Sequence, residues 1–294
     1  MLNKEKPVNV KVDRDKCIVC GICADICTVN YLSIDDNQVK TNDDSVFGCV
    51  QCGYCMMHCP KECISIEGEG ISPDDVVPLE DNLPGYDSVY SLFIQRRSTR
   101  KFVQQELQKE VIEKIIEAAS TAPISIPPSE VKVLVISGFD KVRTFADEII
   151  ERLEKFAKMM NPFVLGILSP FMGRAKYKMF RDFILPLVGS ISKGRREGED
   201  LLFYDAPAVM VFYGTELTDK EDAILAAAHA YIAAEALGLG TCIIGSVPPA
   251  FDVELKKKYG IEKNETPVIA FILGYPESKP KRGIKRRFKA VNYF

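Results

Sequence analysis

The chain has 294 residues, 47% of them hydrophobic and 27% charged, with a formal net charge of −3. Such a composition gives room for two domains with buried cores and excludes a disordered or low-complexity chain. The most apolar run, residues 162–172, stops at Arg174, too short to cross a bilayer, and the opening Met1-Leu2-Asn3-Lys4-Glu5-Lys6 lacks the apolar core of a signal peptide. The expectation is a cytoplasmic protein with no membrane partner.

Residues 8–12 alternate like an edge strand. A dense cysteine stretch follows: of the chain's 10 cysteines, all but Cys242 lie between positions 17 and 63. They read Cys17-x2-Cys20-x2-Cys23-x3-Cys27 and then Cys49-x2-Cys52-x2-Cys55-x3-Cys59-Pro60. Three closely spaced thiolates wrap one face of a cubane iron–sulfur cluster. Zinc sites close with four ligands and have no need of such a run twice, and disulfides belong to secreted domains. Residues 31–34 and 64–67 read as short strands, one after each run, so the stretch is an internal repeat with an offset of 32 residues.

Residues 8–67 resemble the bacterial two-cluster ferredoxins, in which the fourth cysteine of each run ligates the other cluster. The resemblance implies two 4Fe–4S clusters, one on Cys17, Cys20, Cys23 and Cys59, the other on Cys49, Cys52, Cys55 and Cys27. Two residues depart from the pattern. Thr28 stands where proline is usual. Cys63 replaces a small apolar residue and reads as a packed, unligated thiol, with a spare ligand as the alternative. His58, beside Cys59, is expected to sit behind a cluster ligand.

Charge divides the chain. Residues 1–87 carry 7 Lys/Arg against 16 Asp/Glu, and the remainder carries 31 against 25. An acidic first domain is either a docking face for a redox partner or ordinary solubility. Residues 68–85 turn to Gly, Pro and Asp, which is linker chemistry. The division expected is 1–67 for the cluster domain, 68–87 for the linker and 88–294 for a second domain.

In that second domain, residues 89–94 and 107–119 show helical spacing, with Val111, Ile112, Ile115, Ile116 and Ala119 on one face. Residues 131–136 read as a strand and 140–158 as an amphipathic helix. Residues 161–200 look like an irregular, apolar and basic insertion, helical in character, serving as a lid or a subunit contact. Then come a strand at 208–213, an Ala-rich helix at 222–237, strands at 241–244 and 268–273, and a basic tail. Interleaved helices and strands make an α+β domain.

Arg96-Arg97-Ser98-Thr99-Arg100 gathers three guanidinium groups and two hydroxyls, a set suited to phosphate. With Ala122-Pro123, then Ala236-Leu237-Gly238-Leu239-Gly240-Thr241-Cys242, then Leu273-Gly274-Tyr275-Pro276, this segment resembles the FMN-dependent nitroreductase family over residues 88–294. The resemblance implies that Arg96, Ser98 and Arg100, with Arg97 nearby, hold the FMN phosphate and ribityl chain. It places loop residues Pro123, Ile124, Ser125 and Pro127 along the isoalloxazine ring. It brings backbone of Ile243, Ile244 and Gly245 to the ring's N5 edge, and Arg282 or Arg286 to the phosphate. Many members have Asn and Gln-Pro-Trp in the loop, where this chain has Pro127, Ser129, Glu130 and Val131, so substrate preference is not legible there.

Other patterns read more plainly. Gly238-Leu239-Gly240 follows a helix and lacks the third glycine of a dinucleotide fingerprint. It reads as a helix end turning into a strand. His229 reads as a satisfied interior or interface histidine. Residues 279–289 hold seven Lys/Arg without the aromatic pattern of a nucleic-acid binder.

The function expected is an iron–sulfur flavoprotein oxidoreductase, built as a homodimer. Electrons would pass from a redox donor protein or NAD(P)H through the clusters to FMN, and on to a small nitroaromatic or quinone-like acceptor. The alternatives are an electron relay without a substrate of its own, or action on flavin or a halogenated compound. No side chain stands out as a catalytic acid.

Overall fold

The computed structural model describes residues 8–42, 44–125, 129–215 and 220–294. They form two compact units, Met1–Leu83 with Ile124–Glu130, and Pro84–Pro123 with Val131–Phe294.

The first unit is two small antiparallel pairs and two short helices. Strand β1 (Asn9–Val12) pairs with β4 (Ile64–Glu67), and β2 (Leu32–Asp35) pairs with β3 (Gln38–Thr41). Helix α1 is Ile22–Asp25 and α2 is Tyr54–His58. The repeat seen in the sequence is repeated in the backbone. Left-handed residues recur 32 positions apart: Val19 and Gln51, Gly21 and Gly53, Asn30 and Glu62. Val19, at φ 52°, is β-branched and pays steric strain there. The core joins Leu32, Val39, Met56, Ile64 and Ile66 to buried cysteines.

The second unit centres on a four-stranded antiparallel sheet in the order β5 (Lys132–Ser137), β6 (Ala208–Gly214), β8 (Thr266–Gly274), β7 (Gly240–Ile243). Strand β6 is buried at every position because both faces of the sheet are covered. Val209, Val211 and Tyr213 face one core with Phe145, Ile149 and Leu153 of α5 (Phe139–Met159). Ala208, Met210 and Phe212 face the other, with Ile112 and Ile115 of α4 (Lys109–Ser120) and the alanines of α9 (Lys220–Ala236). Small side chains let α9 lie close to the sheet, where Phe271 of β8 packs between Phe212 and Tyr231 at ring separations of 5.8 and 4.6 Å. Burying such a ring contributes about 1.5–3 kcal/mol.

The 161–200 insertion is helical almost throughout, as expected. After α3 (Tyr86–Gln95) at the unit's start, this part holds α6 (Pro162–Met172), α7 (Arg174–Met179), a π-helical turn at Phe180–Ile184 and α8 (Leu185–Arg196). The Asn161 side chain caps α6 by accepting from the amides of Phe163 and Val164, and Gly173 at φ 76° separates α6 from α7. A last helix, α10 (Val253–Lys258), is capped by Asp252, which accepts the Leu255 amide at 2.8 Å. No described helix is long and apolar enough to cross a membrane.

Candidate functional site

Two cavities in the first unit sort the cysteines. One, of about 330 Å³ counted with its open mouth, is lined by Cys17, Cys20, Cys23, Cys59 and Cys63 among Ile18, Ile22, Val39 and Ile64. The other, of about 410 Å³ on the same measure, is lined by Cys27, Cys49, Cys52 and Cys55 among Val10, Ile26, Leu32 and Ile66. Each therefore gathers three cysteines of one run and the last cysteine of the other. All ten cysteines are free thiols.

Among the described residues, no three His, Cys, Asp or Glu side chains converge on a single ion position. A cubane offers four separate iron corners, so its thiolates stand farther apart, around a space. The donor set, sulfur only with an apolar lining, fits that group. Burial pushes the Cys55 thiol up to about 12, aided by the nearby Cys49, Cys52 and Cys27. Burial likewise raises Cys23 and Cys49. Burial also acts to raise Cys59, but amides of Cys63 and Lys61 outweigh it and hold Cys59 below the usual thiol value. Cys63, 3.4 Å away, is pushed by burial and by Cys59 up to about 12.

His58 does not stand behind a ligand. It is exposed, its Nδ1 lies 3.0 Å from the Tyr54 carbonyl oxygen, and it lines neither cavity. The helical i,i+4 spacing returns the ring to its own helix.

The basic segment of the second unit hangs on the end of α3. Arg96 closes that helix through its amide to the Leu92 carbonyl, and its guanidinium lies 5.9 Å from the Tyr231 ring centre. Arg100 lies 5.8 Å from the Tyr204 ring. Between them Thr99 donates its amide to the Thr241 carbonyl at 2.9 Å, and Ser98 forms a parallel bridge with Thr241. The segment is therefore an added edge beside β7. Gly240 is required there, because a Cβ would lie 2.5–2.7 Å from Thr99 side-chain atoms.

Among the described residues, Arg96, Arg97 and Arg100 have no carboxylate within ion-pair distance. Two buried hydroxyls nearby, Tyr231 Oη and Thr241 Oγ1, have no hydrogen-bond partner among the described residues. Buried polar atoms are nearly always paired, so these two, with unpaired guanidinium groups beside them, fit a polar, anionic group such as a flavin phosphate. Burial raises the Tyr231 hydroxyl well above its usual range, with Arg96 opposing, so it is a hydrogen-bond donor. Burial raises Glu235 too, opposed by Arg96 and Lys279. Tyr231 and Tyr204 are not marked by any sequence motif, and Thr241 lies in the Ala236–Cys242 motif without being singled out there. Their only early signal is a tyrosine within the alanine run of α9 and a threonine between Gly240 and Cys242.

The remaining expected site residues fall as follows. The tail meets α3 at Gly283, where a Cβ would lie 2.6 Å from Ile94 Cγ1, and Arg282 beside it is exposed. Arg286 is exposed. Ile244 gives its amide to the Ala270 carbonyl, which leaves the exposed Ile243 and Gly245 as the accessible part of their segment. Pro123 is an exposed residue of the second unit, whereas Ile124 and Ser125 group with the first. Pro127 lies outside the described residues. Gly238, at φ 78°, closes α9, with Leu239 donating to Ala234 and Gly238 to Glu235, a helix end and no dinucleotide loop. His229 is half-buried with its Nδ1 3.2 Å from Thr121 Oγ1, a satisfied residue.

A profile of the nitroreductase family matches residues 94–275, from the end of α3 to just past β8. The chain belongs to the nitroreductase family. It is thereby an oxidoreductase of the nitroreductase type. Its fold is shared with a nitroreductase with bound FMN from Bacteroides fragilis, at 16% identity and a TM-score of 0.52, covering 70% of this chain and 98% of that one. An FMN-dependent nitroreductase from Clostridium difficile is similar at 17% identity and a TM-score of 0.50, covering 70% and 99%. No curated protein matches the chain.

Proposed function

We propose that this nitroreductase-family protein is an iron–sulfur flavoprotein that reduces a small organic acceptor, nitroaromatic or quinone-like, with electrons from a low-potential donor. The reading rests on one observation above the others: the cysteines divide between two cavities as two cubanes with exchanged fourth ligands require. When bound, the clusters supply one-electron transfer and FMN supplies both one- and two-electron chemistry.

The chain's own residues do the holding and orienting. Cys17, Cys20, Cys23 and Cys59 hold one cluster, and Cys27, Cys49, Cys52 and Cys55 the other. Arg96, Ser98 and Arg100, with Arg97 and the tail's Arg282 or Arg286, neutralise and position the FMN phosphate. Tyr231 and Thr241 give their unpaired hydroxyls to the same site. Pro123, Ile243 and Gly245 border the ring. FMN is supported by family membership and by the bound FMN in the Bacteroides relative. Free thiols suit the reducing cytoplasm. Exposed apolar residues such as Phe163, Ile167 and Phe171 on α6, and Phe288 and Tyr293 in the tail, support a homodimer.

Anaerobic titration with reduced ferredoxin, NADH and NADPH in turn, followed by visible absorbance and then by a nitroaromatic acceptor, tests the proposal. Bleaching of both flavin and iron–sulfur bands, reversed by the acceptor, is expected. Bleaching that the acceptor does not reverse would point to an electron relay instead.

A further inference from the structure

The first cavity holds one thiol more than a cubane takes. Cys63 lines it beside Cys17, Cys20, Cys23 and Cys59, at 6% exposure and with its Sγ 3.4 Å from that of Cys59. The repeat makes the excess visible. Thirty-two positions earlier stands Tyr31, which lines the second cavity. Its amide donates to Cys27 Sγ at 3.2 Å, as the Cys63 amide donates to Cys59 Sγ at 3.4 Å. The two backbones treat their fourth cysteines alike; only the side chain differs, a phenol in one half and a thiol in the other.

We infer that Cys63 is a reserve ligand of the first cluster, able to take the place of Cys59. The inference rests on the proposal that the two cavities hold clusters. The Cys63 backbone is held by its carbonyl, which accepts the Asp13 amide at 2.7 Å, and by β4, which begins at the next residue. A side-chain rotation alone therefore has to carry the sulfur across. In the exchange the Cys59 sulfur–iron bond breaks and the released thiolate takes up a proton, while Cys63 gives its proton to solvent and makes the sulfur–iron bond in its place. No electron changes hands. The second cavity has no such reserve, so the two halves of the repeat differ in their tolerance of damage to the fourth cysteine.

Iron and sulfide per chain, measured on anaerobically purified full-length protein, test this. Cys63→Ala should match wild type. Cys59→Ala should keep the wild-type iron content, while Cys59→Ala/Cys63→Ala should lose about one to four iron per chain. Cys27→Ala should lose a comparable amount. A Cys59→Ala chain as depleted as the double variant overturns the inference. Should Cys59→Ala be insoluble, Cys59→Ser supplies the comparison. Its visible spectrum should match wild type and differ from that of Cys59→Ser/Cys63→Ala, in which a serine oxygen is the available ligand. Identical spectra for these two overturn it as well. Wild-type protein that binds no iron would remove the cluster proposal itself, a result distinguishable from either.

Discussion

Thr99 donates its amide to the carbonyl of Thr241 at 2.9 Å, and through that bond the arginine-rich segment becomes an extra edge of the central sheet. Gly240, next to Thr241, makes the approach possible by having no side chain. Gly240→Ala should force Thr99 outward. Overpacking of this kind costs about 1–3 kcal/mol. A lowered urea midpoint is expected, together with weakened FMN retention, and Thr99→Gly in the same chain should restore part of both. Unchanged stability and flavin content in Gly240→Ala would show that the contact is slack.

Arg96 bears on the flavin more directly. Its guanidinium lies over Tyr231 and has no carboxylate partner among the described residues. Removing a charge-assisted hydrogen bond costs about 1.5–3 kcal/mol, or roughly a 10- to 150-fold rise in Kd. Titration of apoprotein with FMN, read by flavin fluorescence, should show that rise for Arg96→Ala. Wild-type affinity would mean the phosphate is held elsewhere.

Asp252 gives the fold a pH dependence. Burial works to raise its carboxyl, but the Leu255 amide and Arg152 outweigh it and hold the group below the usual aspartate value. A depressed folded-state value means stability that is present above the unfolded value of about 3.9 and is lost as pH falls through the folded one. Asp252→Ala should cost about 1 kcal/mol at neutral pH, as lost helix caps do. The gap between variant and wild type in denaturant unfolding should narrow below about pH 4. A gap that stays constant to pH 2 would contradict the carboxylate's role.

Much of the fold was legible before the structure because the relevant physics is local or periodic. The apolar run of β6, the 3.6-residue spacing of α5 and the glycine closing α9 each carry their signal within a few residues. The hairpin of β2 and β3 was not anticipated, although Asp36 and Asn37, at φ 50° and 57°, are the residue types that suit a tight left-handed turn. Helix α10 was also missed, its one cue being Asp252 three residues before Leu255. At the sites, the two cysteine runs and the arginine cluster stand out as motifs. Tyr231 could not be found that way: an unpaired buried hydroxyl is a property of tertiary packing, invisible until α9 is laid against β8. Cys63 was visible as an oddity, but only the cavity shows that it faces the same space as Cys59.

Iron, acid-labile sulfide and FMN, counted per chain on anaerobically purified protein, test the central claim most directly. About eight iron and eight sulfide beside about one FMN are expected from two cubanes and one flavin. About four of each would leave one quartet of thiols without a cluster, and none, in protein that still carries FMN, would contradict the iron–sulfur reading altogether.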